Sequence, residues 1–409
     1  MNSITKHDSK ETTVRIIFAV ALGLFFVVCA ELYRRMTISY PGFLGTYYSD
    51  INVRLAMSEN GQTYSIFLMP EYFFANHLDK NLGALCIGIY LSIFTIGTLL
   101  LVYRFLKVLC PQTENWLLAV FSFVCMLAMP IVIFAFSERI YGPYVGTVWH
   151  NESYLGMRFV AILILIFFYR THDRYLKSFS VKEFFIACLL FLLVNWIKPN
   201  FIIAFAPAML VMMIVDIIKS KGKGFFKWVM YGVTVLVGAL ILPFQYLLLF
   251  PGSDDSGSSV VFIMGDFFLS QKTPVINLLL ALAFPILIFI IHRKEFLRSK
   301  FHLVCCLGWV FAFLEYVFMA ETGIRRGHEN FYWGVRLFTF IIYCLSIGFF
   351  ISDIRNYLVQ KKELKNKQNK TKKAPIDLFF IENVVLVLHL FSGIVYFVLV
   401  LLGARASEL

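Results

Sequence analysis

The sequence predicts an all-α fold: a polytopic membrane helix bundle of about eleven transmembrane helices, with a cytoplasmic N-terminus and a long first outer loop carrying an interfacial helix. Three observations predict it. Hydrophobic residues make up 59% of the 409-residue chain against 15% charged, and no water-soluble domain of this length could cover so much apolar surface with so little charge. The apolar runs are continuous and helix-length, as in Val14 to Ala30 and Phe380 to Leu402, where a transmembrane β-barrel would need short alternating segments. Positive charge is unevenly spread: with the N-terminus inside, 25 of the 37 lysines and arginines fall in cytoplasmic segments, as the resistance of positive residues to export requires.

In order, the expected spans lie near 14–33, 83–105, 116–136, 154–170, 183–197, 201–218, 227–249, 274–292, 302–319, 333–352 and 379–402. The first resembles a signal peptide in position only: it is long, has no small-residue cleavage site and is followed by Arg34 and Arg35, so it is expected to be retained. Lys198, Pro199 and Asn200 divide 183–218 into two spans joined by a tight outer hairpin, because one kinked helix of that length is too long for a single crossing. An odd number of spans then puts the C-terminus on the outer face. The chain reads as one transmembrane domain, 1–409, with its first outer loop at 34–82 and a basic cytoplasmic loop at 353–378. The net charge of +12 accordingly marks a membrane face and implies no nucleic-acid partner. The eight cysteines lack metal-ligand spacing and a disulfide framework, and read as apolar packing residues.

Chemistry is expected in the outer loops. In the first, Asp50 follows Tyr47, Tyr48 and Ser49, and a carboxylate held at the bilayer surface can take a proton from a hydroxyl nucleophile; a plain surface pair with Arg54 is the competing reading. The stretch from Phe67 to His77 is aromatic and amphipathic, which suits a helix lying in the interface. The second loop brings Trp149, His150, Asn151 and Glu152 together, a polar-aromatic cluster of the kind that grips sugars or headgroups, against which stands an ordinary interfacial tryptophan. Arg158 falls inside a span, where an ionisable residue is costly unless it pairs or faces a cavity. Lys198 and Asn200 form a positive corner that can meet a phosphate, or a lysine that merely snorkels. The last loop holds Glu321, Arg325, Arg326, His328, Asn330 and Arg336. Positive charge is disfavoured there, so these residues point to an anion site, since arginine forks match phosphate oxygens; an internal ion-pair network is the alternative. Glu315 and Glu321 stand in position to orient the arginines or a sugar hydroxyl.

This arrangement resembles the GT-C superfamily of membrane glycosyltransferases, which use polyprenyl-phosphate-linked sugars. The resemblance rests on the acidic residue of Tyr48-Ser49-Asp50-Ile51 in a long first outer loop, the interfacial segment, the Lys198-Pro199-Asn200 corner and the polar loop Glu321 to Arg336. It implies that Asp50 is the base that activates the acceptor and that Lys198, Arg325 and Arg326 hold the donor phosphate. His328 and Asn330 would contact the donor, and Trp149, His150 and Glu152 would line the acceptor side, with Arg158, Asn200 and Glu321 also at the substrate. No Asp-x-Asp or Glu-x-Asp occurs in the first outer loop, so metal-independent transfer is expected, with no cofactor beyond the lipid-linked sugar as co-substrate. The expected partners are a polyprenyl-phosphate sugar donor, a glycan or lipid acceptor and membrane lipids, in a multi-pass protein of the cell membrane. A polysaccharide polymerase or O-antigen-ligase-like enzyme acting on lipid diphosphates is one alternative, and a transporter or flippase is another.

Overall fold

Apolar runs interrupted by a few prolines and polar residues fold into long helices with defined breaks. The computed structural model describes residues 2–47, 49–50, 65–136, 142, 144–249, 259–323, 330–366 and 376–404. The helices are α1 (Asn2–Thr37), α2 (Met69–His77), α3 (Lys80–Leu109), α4 (Asn115–Leu127), α5 (Glu152–Thr171), α6 (Val181–Ile197), α7 (Asn200–Lys219), α8 (Phe225–Ala239), α9 (Ile241–Leu249), α10 (Pro274–Ala281), α11 (Ala283–Ile291), α12 (Arg293–Arg298), α13 (Lys300–Phe318), α14 (Tyr332–Asn366) and α15 (Ile376–Leu401). Single turns at Tyr175–Ser178 and Asp266–Leu269 and a 3-10 turn at Ile66–Leu68 complete the helical segments among the described residues. Eight helices are long and apolar enough to cross a bilayer, and the bent pair α10–α11 makes a ninth. This is the architecture of an all-α, multi-pass membrane protein.

Local chemistry sets the helix starts. Asp79 accepts hydrogen bonds from the amides of Asn81 and Leu82 ahead of α3, and Ser180 with Glu183 forms a reciprocal capping box ahead of α6, satisfying amides that a first turn leaves open. The expected separation of α6 from α7 is present: Lys198 is extended and Pro199 precedes the first turn of α7. Burial ranks the helices. Of the apolar window of α5, 78% is buried against other helices and of α14 72%, but only 11% for α1. α5 and α14 are therefore central, while α1 turns Ile16, Val20, Leu24 and Val27 outward, as a lipid-facing helix does. All eight cysteines are free and six are buried, in keeping with packing roles.

Besides the division of the span expected over 227–249 into α8 and α9, the structure departs from the expected elements at four places. The span expected over 116–136 stops at Leu127, because Pro130 has no amide hydrogen and pushes its predecessor out of helical geometry. The unwound chain is satisfied by α15 and α10 instead: the amide of Met129 donates to the carbonyl of His389 (3.2 Å), that of Val132 to Ser392 Oγ (3.4 Å), and that of Ile131 to the carbonyl of Leu280 (3.4 Å). The span over 274–292 is broken by a 60° bend between α10 and α11. Pro285 cannot donate to the carbonyl of Ala281, which accepts from Tyr343 Oη instead (2.7 Å). α14 runs on to Asn366, well into the segment expected to be a loop from 353, since Lys361 to Lys365 are good helix formers. Finally, Val260–Phe262 (β1) pairs antiparallel with Met319–Glu321 (β2), Val260 opposite Glu321, a two-stranded ribbon too short to leave a periodic signal in sequence.

Gly393 tests the close approach of α15 to the end of α4. A Cβ there would lie 1.5 Å from the carbonyl oxygen of Leu127, whereas one at Gly23 in α1 meets nothing within 4 Å. Gly393→Ala is expected to cost about 1–3 kcal/mol or more, and Gly23→Ala to leave stability unchanged or slightly raised. Thermal unfolding of the purified protein in detergent reads both; equal midpoints for the two variants would contradict the packing.

Candidate functional site

Asn151 is the residue on which the candidate site is built. It is extended and precedes α5, and its Oδ1 accepts from the amide of Tyr154 (2.8 Å) and from Ser153 Oγ (3.0 Å), so a helix cap fixes the side chain. Its Nδ2 donates to Asp50 Oδ2. Lys198, extended at the end of α6, points its Nζ at Asn151 Oδ1 (3.5 Å) and Ser153 Oγ (3.3 Å). One asparagine thus connects a carboxylate and an ammonium that lie 148 positions apart in the chain.

Each charged group is held from a second side. The Asp50 amide donates to the carbonyl of His150 (3.0 Å). The segment before Asp50 is pinned to the end of α15, where Tyr47 Oη donates to the carbonyl of Leu401 and the Leu44 amide to that of Leu402 (2.9 Å). Lys198 Nζ lies 3.9 Å from the ring centroid of Trp333, a cation–π contact. Arg336, one turn into α14, stacks over Tyr332 (4.0 Å) and Trp333 (4.8 Å) and donates to the carbonyl of Gly142 (3.1 Å). Burial lowers the pKa of the His150 imidazole, Asp50 opposes that and Lys198 adds to it, so His150 is a neutral neighbour at pH 7.

A second chain of contacts adjoins this cluster. Asn200 Nδ2, at the start of α7, donates to the carbonyl of Asn330 (2.7 Å), and Asn330 Nδ2 donates to Glu321 Oε2 (2.6 Å). Glu321 and Asn330 line a small pocket of about 210 Å³ together with Phe267, Tyr316 and Tyr332. Much of that space is open to solvent and the enclosed part has room for about one water, so the pocket is not by itself a sugar site. Glu315 is buried near the end of α13, close to Gly334.

Of the residues singled out from sequence, Asp50, His150, Lys198, Asn200, Glu321 and Asn330 come together at this end of the bundle. Glu152 is buried in the first turn of α5, where the helix dipole favours an acid. Trp149 is fully buried, its ring packed against Phe397 (4.7 Å) and Phe25 (6.1 Å). Arg158, one turn beyond Tyr154 in α5, is fully buried, with Phe340 and Tyr154 rings 5.1 and 5.7 Å from its guanidinium. Arg325, Arg326 and His328 lie outside the described residues. Sequence places Asn151 only within the polar-aromatic cluster of the second loop and Arg336 only among the anion-site residues of the last, and it does not single out Trp333. What the sequence does not show of Asn151 is what it joins, Asp50 and Lys198.

The arrangement offers a carboxylate, Asp50, and two cations, Lys198 and the buried Arg336, set against aromatic rings. Asn151→Ala removes a helix cap and the link between Asp50 and Lys198, and is expected to lower stability by about 1–2 kcal/mol. Asn151→Ser keeps a capping oxygen and is expected to recover most of that loss in thermal unfolding; an Asn151→Ala variant as stable as wild type would remove Asn151 from its central place. No protein-family model, curated protein or solved structure matches this chain, so no relative's residue roles carry over to Asp50, Lys198 or Arg336.

Proposed function

We propose that the protein is a membrane glycosyltransferase that moves a sugar from a polyprenyl-phosphate donor to a glycan or lipid acceptor on the outer face of the cell membrane. The observation that carries this reading is the hydrogen bonding of both Asp50 and Lys198 to Asn151, with Arg336 close by. In the proposed reaction the acceptor oxygen attacks the anomeric carbon, the bond from that carbon to the phosphate oxygen breaks, and polyprenyl phosphate leaves. Asp50 takes the acceptor proton. Lys198 and Arg336 neutralise the developing phosphate charge, a task that Arg325 and Arg326 share, and no metal is needed for it. A single displacement inverts the anomeric centre. Asn200, Glu321 and Asn330 contact the donor side, together with His328. His150 and Glu152 border the acceptor.

Asp50→Asn keeps size and polarity but removes the base, so it is expected to abolish transfer by a folded protein while leaving donor affinity near wild type. Lys198→Ala is expected to weaken donor binding about ten- to a hundredfold, the worth of one charge-assisted phosphate contact. Transfer from a polyprenyl-phosphate sugar by purified protein reads both. A folded Asp50→Asn variant with full activity would end the proposal.

We further propose eleven crossings. α6, at 17 residues, and α4 with the unwound segment after it, at 13 helical residues, supply the two beyond the nine identified by length. The N-terminus and the basic segment Lys361 to Lys373 then lie in the cytoplasm, and Glu321 to Asn330 outside, as the division of positive charge requires. An impermeant thiol reagent applied to intact cells is expected to modify Gly327→Cys and spare Asn366→Cys; the reverse would invert the topology.

The transporter reading draws on the bent pair α10–α11, since broken helices line many transport sites. Neither helix carries an ionisable residue, so the break offers no charged group for a transported ion or substrate.

A further inference from the structure

At the other end of α14 from the candidate site, three metal-ligand side chains converge. Asp353 lies about 30 Å along the helix from Trp333 at 1.5 Å per residue. His292 ends α11, and its Nε2 meets Asp353 Oδ2 at 2.6 Å while its ring stacks on Phe349 of α14 at 4.9 Å. Glu382, from α15, completes the group: a ligand atom from each of His292, Asp353 and Glu382 lies within 4.8 Å of the others.

We propose that His292, Asp353 and Glu382 form a binding site for a divalent transition-metal ion of the zinc class, separate from the candidate transferase site. An independent observation points to a missing ligand. Glu382 is only 2% exposed, and its Oε2 has no hydrogen-bond partner among the described residues. Buried carboxylate oxygens are nearly always paired, and two neighbouring carboxylates repel unless a proton or a cation compensates them. His292 directs its Nε2 to Asp353 and not to Glu382. One imidazole nitrogen and two carboxylates are a donor set suited to zinc, with a fourth position left for water. Tetrahedral bonds of 2.0–2.2 Å place ligand atoms roughly 3.3 Å apart. The ligand atoms lie within 4.8 Å of one another, so binding would open His292 and Asp353 from their 2.6 Å contact and draw Glu382 toward the ion. The ion would tie α11, α14 and α15 together at one bundle end. The ligands come from three distant segments, so no spacing in the sequence announces them.

The test uses the full-length protein in detergent, stripped with a chelator and then dialysed against micromolar zinc in excess magnesium. The expected result is about one zinc retained per chain and a higher unfolding temperature with zinc than without. Glu382→Gln and Asp353→Asn are expected to lose affinity by more than the roughly 10–100-fold that removing an outer partner of a metal ligand costs. Should one variant fail to fold, the other decides. Folded wild-type protein that retains no zinc overturns the proposal, whatever the variants do. Retention undiminished in a folded Glu382→Gln variant also overturns it, because the zinc would then sit elsewhere, such as at the cysteines.

Discussion

A backbone amide or carbonyl inside hydrocarbon has no water to turn to, and most of this structure is the consequence. Helices meet the requirement within themselves. Where a proline forbids that, a polar side chain from another helix takes over. His389 serves two breaks at once: its Nδ1 reaches the carbonyl of Met129 (2.6 Å) beyond the end of α4, and its Nε2 accepts from the amide of Phe284 (3.3 Å) in α11. That network fixes the tautomer, with the hydrogen on Nδ1. Tyr343 caps the carbonyl of Ala281 at the same bend. Asn195 donates to the carbonyl of Gly238 (2.7 Å), close to the division of α8 from α9, and Gln245 and Ser65 donate to the carbonyl of Trp196 near the end of α6. The scattered polar residues of the apolar runs are the partners that make irregular backbone tolerable at membrane depth.

α14 is the element through which these devices communicate. It is central, and its length presents different chemistry at different depths. Trp333 and Arg336 at its start face Lys198 and the carbonyl of Gly142. Tyr343 in its middle repairs the bend at Ala281, and Asp353 beyond that meets His292. Arg158 of α5 stands against the same helix, its guanidinium beside the rings of Tyr154 and Phe340 and, among the described residues, paired with no carboxylate. Ring quadrupoles replace part of the hydration that a buried cation loses, which lets the charge stay inside the bundle.

The candidate site obeys the same economy of partners. Asn151 has a task required of any helix start, to satisfy an open amide, and the geometry that does so leaves its Nδ2 free to meet Asp50 and its Oδ1 within reach of Lys198. Because the cap is rigid, the carboxylate and the ammonium acquire fixed positions without a rigid loop of their own. Positioned charge on a rigid scaffold is what stabilises charge that develops during a reaction.

The membrane character, the all-α class and the position of nearly every helix were determined by the sequence alone, because apolar length and the placement of lysine and arginine depend on the solvent and not on the partner helix. Asp50, Lys198, Asn200, Glu321 and Asn330 were likewise legible as polar residues between apolar runs, each out of keeping with a mere connector. Tertiary structure alone decided the rest. Pro130 and Pro285 made breaks possible, but whether a chain unwinds there depends on His389, Ser392 and Tyr343 standing opposite, which no local window contains. Asn151 joins residues 50 and 198, and His292 meets residues 353 and 382, through contacts whose separation along the chain leaves no period to read. Trp149 belongs to the same lesson: its neighbours suggested a polar loop, and packing against Phe25 and Phe397 put it in the core. A residue's chemistry is written in its own side chain, but its role depends on which groups the packed helices bring within hydrogen-bonding distance.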